Sequence, residues 1–193
     1  MTQISKLIQE LTSGDEQIAE AAAMRMSEVG AQAIPFLTAL MKSTNPDVRW
    51  WGVRALAEVN HPSVPAYLVT ALQDHDPSVQ QCAALALRRQ PQPEAIPLLI
   101  NLLSAKDRLT ARLAADALVK SGEPAVLSLI EVLQNGKQAA RIEAARALAM
   151  IGDIRAIPLL FQLFNEDSMM LEYWANEGLD RMGVGMIYLQ PSD

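Results

Sequence analysis

The 193-residue chain carries 22 acidic against 16 basic side chains, for a formal net charge of -6, and its one cysteine excludes an internal disulfide framework and a self-contained zinc or iron-sulfur site. Half of the residues are hydrophobic and only 5% aromatic, so the core of one ordinary-sized domain has to be built from Ala, Leu, Ile, Val and Met, a composition suited to closely packed helices. The acidic balance opposes sequence-independent nucleic-acid binding, which draws on a basic surface.

The opening segment MTQISKLIQELTSGDEQ is charged throughout and lacks the apolar stretch of a signal peptide. Every later apolar run is broken by Pro or charge before it could cross a bilayer. The expected location is the cytoplasm, with no membrane partner.

Along the chain one pattern then recurs. A helix anchored on Met26 ends near Gly30, and AIPFL around Pro35 opens a second helix. The turn TNPDV leads to WWGVRALAEV, Asn60 and SVPAY around Pro65; DHDPSV leads to QCAALALRRQ and AIPLL around Pro97. AKDRL precedes LAADALVKSG and AVLSL around Leu127, then come EAARALAMIG, AIPLL around Pro158, the turn NEDSM and WANEGLDRMG. The anchors Met26, Leu56, Leu87, Leu118, Leu148 and Leu179 stand 30, 31, 31, 30 and 31 residues apart. One helical turn before each sits a small residue, Ala22, Gly52, Ala83, Ala114, Ala144 or Ala175, on the same face.

Proline is tolerated in a first helical turn, glycine suits a helix end, and the Asp or Ser of the intervening turns can cap the next helix. Each repeat therefore reads as helix, tight turn, helix. The boundaries fall near 4–42, 45–73, 76–104, 107–134, 137–165 and 167–183, the last a C-terminal cap followed by a tail over 184–193. Such pairs bury their apolar faces only by stacking. The predicted class is all-α: a single α-α superhelix, or α-solenoid, of about six helix-pair repeats spanning 1–193, with Met169, Met170 and the tail GVGMIYLQP expected to cap the stack, contact with another copy being the alternative.

The tandem of a Pro-bearing helix, an Asp-containing turn and Val-Arg and Ala-Leu positions resembles HEAT repeats over nearly the whole chain. NPDVRWWGVRALAEV and AARIEAARALAMIGDIRAIPLL in particular resemble the HEAT-like repeats of phycobilisome lyases. That resemblance implies a concave side lined by the Val-Arg-bearing helices and a convex side formed by the Pro-bearing ones. A helical wheel then places Val48, Gly52, Ala55, Leu56 and Val59 on the buried arc, with Trp50, Trp51 and Arg54 pointing away. Equivalent positions are Gln81, Cys82 and Leu85; Arg112, Leu113 and Asp116; Ile142, Glu143 and Arg146; and Tyr173, Trp174 and Glu177. From these the expected contact set is Trp50, Trp51, Arg54, Gln81, Cys82, Leu85, Arg112, Asp116, Arg146, Tyr173, Trp174 and Glu177.

Aromatic and Arg side chains dominate interface energetics, which singles out Trp50, Trp51, Arg54, Tyr173 and Trp174. One Trp of the adjacent pair can pack between repeats, but two side chains about 100° apart do not both find cover easily, so at least one is expected to be accessible. Arg49 and Arg141 lie beside the buried arc and read as structural, with Asp47 a plausible local partner of Arg49. His61 and His75 are separated along the chain and form no triad or metal set. Cys82 falls on the proposed face, where a thiol could meet a partner, although a free Cys more often behaves as a small buried hydrophobe.

Three functions follow as expectations. The leading one is a non-catalytic scaffold holding another protein or peptide in the groove, with no catalytic residue, metal or cofactor. The lyase-type resemblance implies the alternative of a phycobilin lyase subunit or chromophore-handling accessory protein, whose partner is a phycobiliprotein or another cofactor-carrying protein. Resemblance to HEAT-like DNA glycosylases gives a third, which the acidic balance opposes.

Overall fold

A computed structural model of the protein describes residues 3–184. The tail expected to cap the stack lies outside the described residues beyond Val184. Among the described residues there are twelve α-helices, several short 3-10 turns and no strand. No described helix is long and apolar enough to cross a membrane. The chain forms two compact units, Met1–Ala95 and Ile96–Asp193.

In the first unit, α1 (Gln3–Leu11) packs on α2 (Glu16–Val29), α3 (Ile34–Leu40) on α4 (Pro46–Leu56) and α5 (Val64–Ala71) on α6 (Pro77–Arg89). The second helices of these pairs form a row, α4 lying between α2 and α6. Local chemistry sets their ends. The Asp15 carboxylate accepts the N–H groups of Gln17 and Ile18 at the start of α2, and Asp76 accepts that of Ser78 at α6. In the TNPDV turn the cap is Asn45, accepting from the Asp47 N–H at 2.9 Å, so an amide does what was expected of an acid. Gly30 stops α2 in a positive-φ conformation that other residues rarely adopt (φ 65°) and sends its N–H back to the Met26 carbonyl.

The second unit repeats the scheme. Helix α7 (Ile96–Leu102) packs on α8 (Arg108–Ser121), α9 (Val126–Asn135) on α10 (Gln138–Ile151) and α11 (Ile157–Gln162) on α12 (Met169–Arg181). Here α10 lies between α8 and α12. Asp107 caps α8 through the N–H and the hydroxyl of Thr110, both at 2.7 Å, which satisfies a fully buried threonine.

The anchor residues Met26, Leu56, Leu87, Leu118, Leu148 and Leu179 are all buried, as are the small residues one turn before them. Small size is a steric requirement at two places. A Cβ on Gly52 would stand 3.0 Å from the Leu40 Cβ and 3.1 Å from the Leu37 carbonyl oxygen. One on Gly178 would meet Leu160 Cδ1 at 2.9 Å and the Ala149 Cβ at 3.0 Å, which brings α12 almost backbone to backbone with α10.

A second device ties each row to the turns beside it. Arg49 forks onto Asp74 with two bonds of 2.7 Å and donates to the carbonyls of Ser43 and Thr44. Its acid is thus 25 residues ahead rather than the neighbouring Asp47. Arg141 does the same in the second unit, gripping Glu166 at 2.8 and 2.5 Å and the Leu133 carbonyl at 2.7 Å. These bidentate charge-assisted bonds tie the first turn of one row helix to the turn that precedes the next. The hydrogen bonds from Arg49 and Arg141 hold the Asp74 and Glu166 carboxyls below their ordinary values.

Gly52→Val is expected to lower the unfolding free energy by about 1–3 kcal/mol through overpacking between α3 and α4, read by chemical denaturation. A folded-state carboxyl held low contributes stability above its unfolded pKa and loses it as pH falls through the folded value. The wild type should therefore lose stability on acidification below the ordinary carboxylate range, and Arg49→Met with Arg141→Met should flatten that acid limb while lowering the neutral-pH plateau, measured by melting temperature against pH.

Candidate functional site

A cavity of about 960 Å³ in the first unit lies open on the face of the α2, α4 and α6 row. Trp50 and Trp51 form its α4 wall. Both are half-buried, with ring centroids 4.7 Å apart and planes at 88°. Helix α2 contributes Glu16, Gln17, Glu20, Ala21 and Met24, and Ser78 reaches in from α6. Among the described residues Glu16, Glu20 and Asp47 are the charged ones lining it, with no Lys or Arg. Glu16 and Asp47 are exposed in the first turns of α2 and α4, where helix N-termini favour anions.

Arg54 is spent inside the protein. Its guanidinium bonds Glu20 across the row and Glu58 one turn ahead at 2.5 Å, and Glu58 also takes Arg89 at 3.1 Å. Burial pushes the Glu58 carboxyl up, but the hydrogen bonds from the two arginines outweigh it and leave it below its ordinary value. A half-buried Arg in such a network orders α2 against α4 and offers a partner little free donor capacity.

Cys82 shares its register with Trp51 but is only 5% exposed, because its short side chain ends below the surface. Desolvation pushes its thiol up to about 12, so at neutral pH it is neither a nucleophile nor a ready metal ligand. The bland expectation for this residue describes it, and it offers no contact surface. In the same helix Gln81 is half-buried and Leu85 is 42% exposed.

In the second unit Arg146 is buried rather than presented. It donates to Glu143 at 2.9 Å, to Asp116 at 2.8 Å and to the Arg112 carbonyl at 3.2 Å, linking α8 to α10. Arg112 remains exposed, 3.8 Å from Glu143. On α12, Tyr173 is 54% exposed and packs edge-on against half-buried Trp174, centroids 4.9 Å apart, while Glu177 accepts from Arg181 at 2.7 Å. The Trp174 indole N–H is buried without an acceptor among the described residues.

Of the histidines, His61 shares a 2.8 Å hydrogen bond with Ser63 in its own loop. Among the described residues no group of three or more His, Cys, Asp or Glu side chains converges as a metal site. The α2 side of the cavity was missed in the sequence although a signal for it exists. Counting back from Met26 as from Leu56 puts Glu20, Ala21 and Met24 in register with Trp50, Trp51 and Arg54.

Comparison with known proteins bears on the fold rather than the chemistry. The family described as HEAT repeats matches residues 4–88 and 65–131, and the PBS lyase HEAT-like repeat matches residues 140–165. No curated protein matches the sequence. Among solved structures, an engineered protein is similar at 25% identity and a TM-score of 0.56, over 96% of this chain and 98% of the other. A designed armadillo repeat protein in complex with the peptide (KR)4 is 19% identical with a TM-score of 0.55, over 94% and 100%. The complex of CpcE and CpcF of phycocyanin lyase from Nostoc sp. PCC7120 gives 22% and 0.58, over 75% of this chain and 96% of the other. The fold is that of an all-α armadillo- or HEAT-type solenoid. With the repeat family matched across most of its length, the chain belongs to the HEAT-repeat family.

Proposed function

We propose that the chain is a non-catalytic scaffold that captures another protein through the row helices. The observation that carries this reading is the open cavity walled by Trp50 and Trp51, two large aromatics left partly uncovered in a chain with few aromatics to spare. Their rings offer apolar area with a polar handle, the usual composition of an interface anchor. Tyr173 and Trp174 make a similar edge-to-face pair in the second unit. Glu177 lies beside them on α12, Arg112 holds the register of Tyr173 two row helices away on α8, and Arg54 contributes by ordering the wall of the first cavity. A designed armadillo repeat protein of similar fold is known in complex with a peptide, which supports a polypeptide as the ligand class. Acidic lining opposes the phosphates of a nucleic acid.

A second reading, a subunit that assists bilin transfer, is favoured by the lyase-type repeat match over residues 140–165. It predicts a shift in the visible absorption of an added phycobilin, which a pure scaffold does not produce.

Capture of a native partner should be lost in the Trp50→Ala, Trp51→Ala, Trp174→Ala triple variant at unchanged helicity by circular dichroism, and a photo-crosslinking side chain at position 51 of the otherwise native protein should label that partner. Undiminished capture by the triple variant overturns the proposal. In the folded protein Cys82 should resist thiol reagents at neutral pH and react at ordinary rates in denaturant, since its inertness comes from burial. Rapid native-state labelling would remove the ground for setting thiol chemistry aside.

A further inference from the structure

We infer that the cavity on α2, α4 and α6 receives a basic, extended segment of the partner, with a Lys or Arg side chain seated against the Trp50–Trp51 corner. The inference rests on the scaffold reading and specifies the chemistry of its ligand. Two rings at 88° and 4.7 Å present a corner rather than a flat wall. The face of an indole carries the negative part of its quadrupole and attracts a cation placed over it. Around that corner the lining charges are acidic: Glu16, Glu20 and Asp47 line the cavity, Arg54 answers Glu20 from beneath, and among the described residues no lining Lys or Arg answers Glu16 or Asp47.

The acids are not all explained by local structure. Glu16 and Asp47 sit where a helix end favours an anion, but a helix terminus carries about half a positive charge and leaves each full carboxylate charge incompletely balanced. Glu20 lies beyond the first turn, and its side chain stays 41% exposed even while paired with Arg54. Between these charges the surface is apolar. Ala21, the 58% exposed Met24 and the indoles can cover an aliphatic stem. Lys and Arg are the side chains with an apolar stem and a cationic head.

An extended backbone suits the spacing of the row. Alternate residues of an extended chain are about 7 Å apart, close to the roughly 8–10 Å between packed helix axes, so side chains on one edge can meet successive row helices. A globular basic domain would instead have to fit its surface to an open trough without a projecting segment.

The test is fluorescence anisotropy of labelled peptides added to the full chain at about 0.1 M salt, comparing alternating Lys-Arg, Gln-Ser and Glu-Ser sequences of one length. The basic peptide should bind, the other two should not, and affinity should fall as salt rises. Glu16→Gln with Asp47→Asn, both exposed, should weaken it by about tenfold and Trp51→Ala by a similar factor, as expected for losing two screened attractions or one cation–π contact. Glu131→Gln with Asp180→Asn removes the same net charge from exposed sites in the second unit and should leave affinity unchanged. Equal loss in this control, preference for the neutral or acidic peptide, or no binding of the basic one overturns the inference. If position 51 still crosslinks a native protein while basic peptides fail, the scaffold reading survives and the ligand chemistry falls.

Discussion

Close approach of helices at residues with little or no side chain is the constraint on which each unit depends. A helix hairpin of this length buries too little apolar surface to stand alone, and its second helix must pack against the second helix of the next pair. Gly52 marks a tight place within a pair, against Leu37 and Leu40 of α3, and Gly178 one between row helices, against Ala149 of α10, while alanines stand at the position of Gly52 in the other repeats. The Leu and Met anchors fill the space so created. Everything displayed outward, the tryptophans included, is positioned by how closely those helices meet.

Electrostatics adds order rather than exposed charge. Arg49 and Arg141 hold turns together, Arg54 ties α2 to α4, and Arg146 ties α8 to α10. A chain with more acids than bases has used these four arginines as internal fasteners, which leaves the first cavity lined by carboxylates. The sign of that surface follows from where the cations are used.

Periodicity carried most of the fold into view: evenly spaced Leu anchors, small residues a turn earlier and prolines at helix starts are local patterns, and the helices follow them. Direction around a helix was legible in most places too, since Gly52, Ala55, Leu56 and Val59 are buried and Trp50 and Trp51 are not wholly so, although Val48 is only half-buried and the buried Val53 lay outside the expected arc. Height above the surface was not. Cys82 and Arg146 point along the same bearing as their exposed counterparts, yet one is too short to emerge and the other is drawn down between Asp116 and Glu143. Partners across the stack were equally hidden, because nothing adjacent to Arg49 announces an acid 25 residues ahead. The α2 side of the cavity escaped for a different reason: the first repeat has Glu and Met where the second has Trp and Arg, and the register survives although the residue types do not.

The placing of the aromatics also makes the molecule its own optical reporter. All three tryptophans of the chain lie on row helices, two on α4 and one on α12, each touching a second aromatic ring. No indole elsewhere dilutes their emission. Tryptophan fluorescence of the unlabelled protein, excited at the long-wavelength edge where tyrosine absorbs little, therefore reads only these two places, one in each unit, and removing Trp174 would leave an indole signal that comes entirely from the wall of the first cavity.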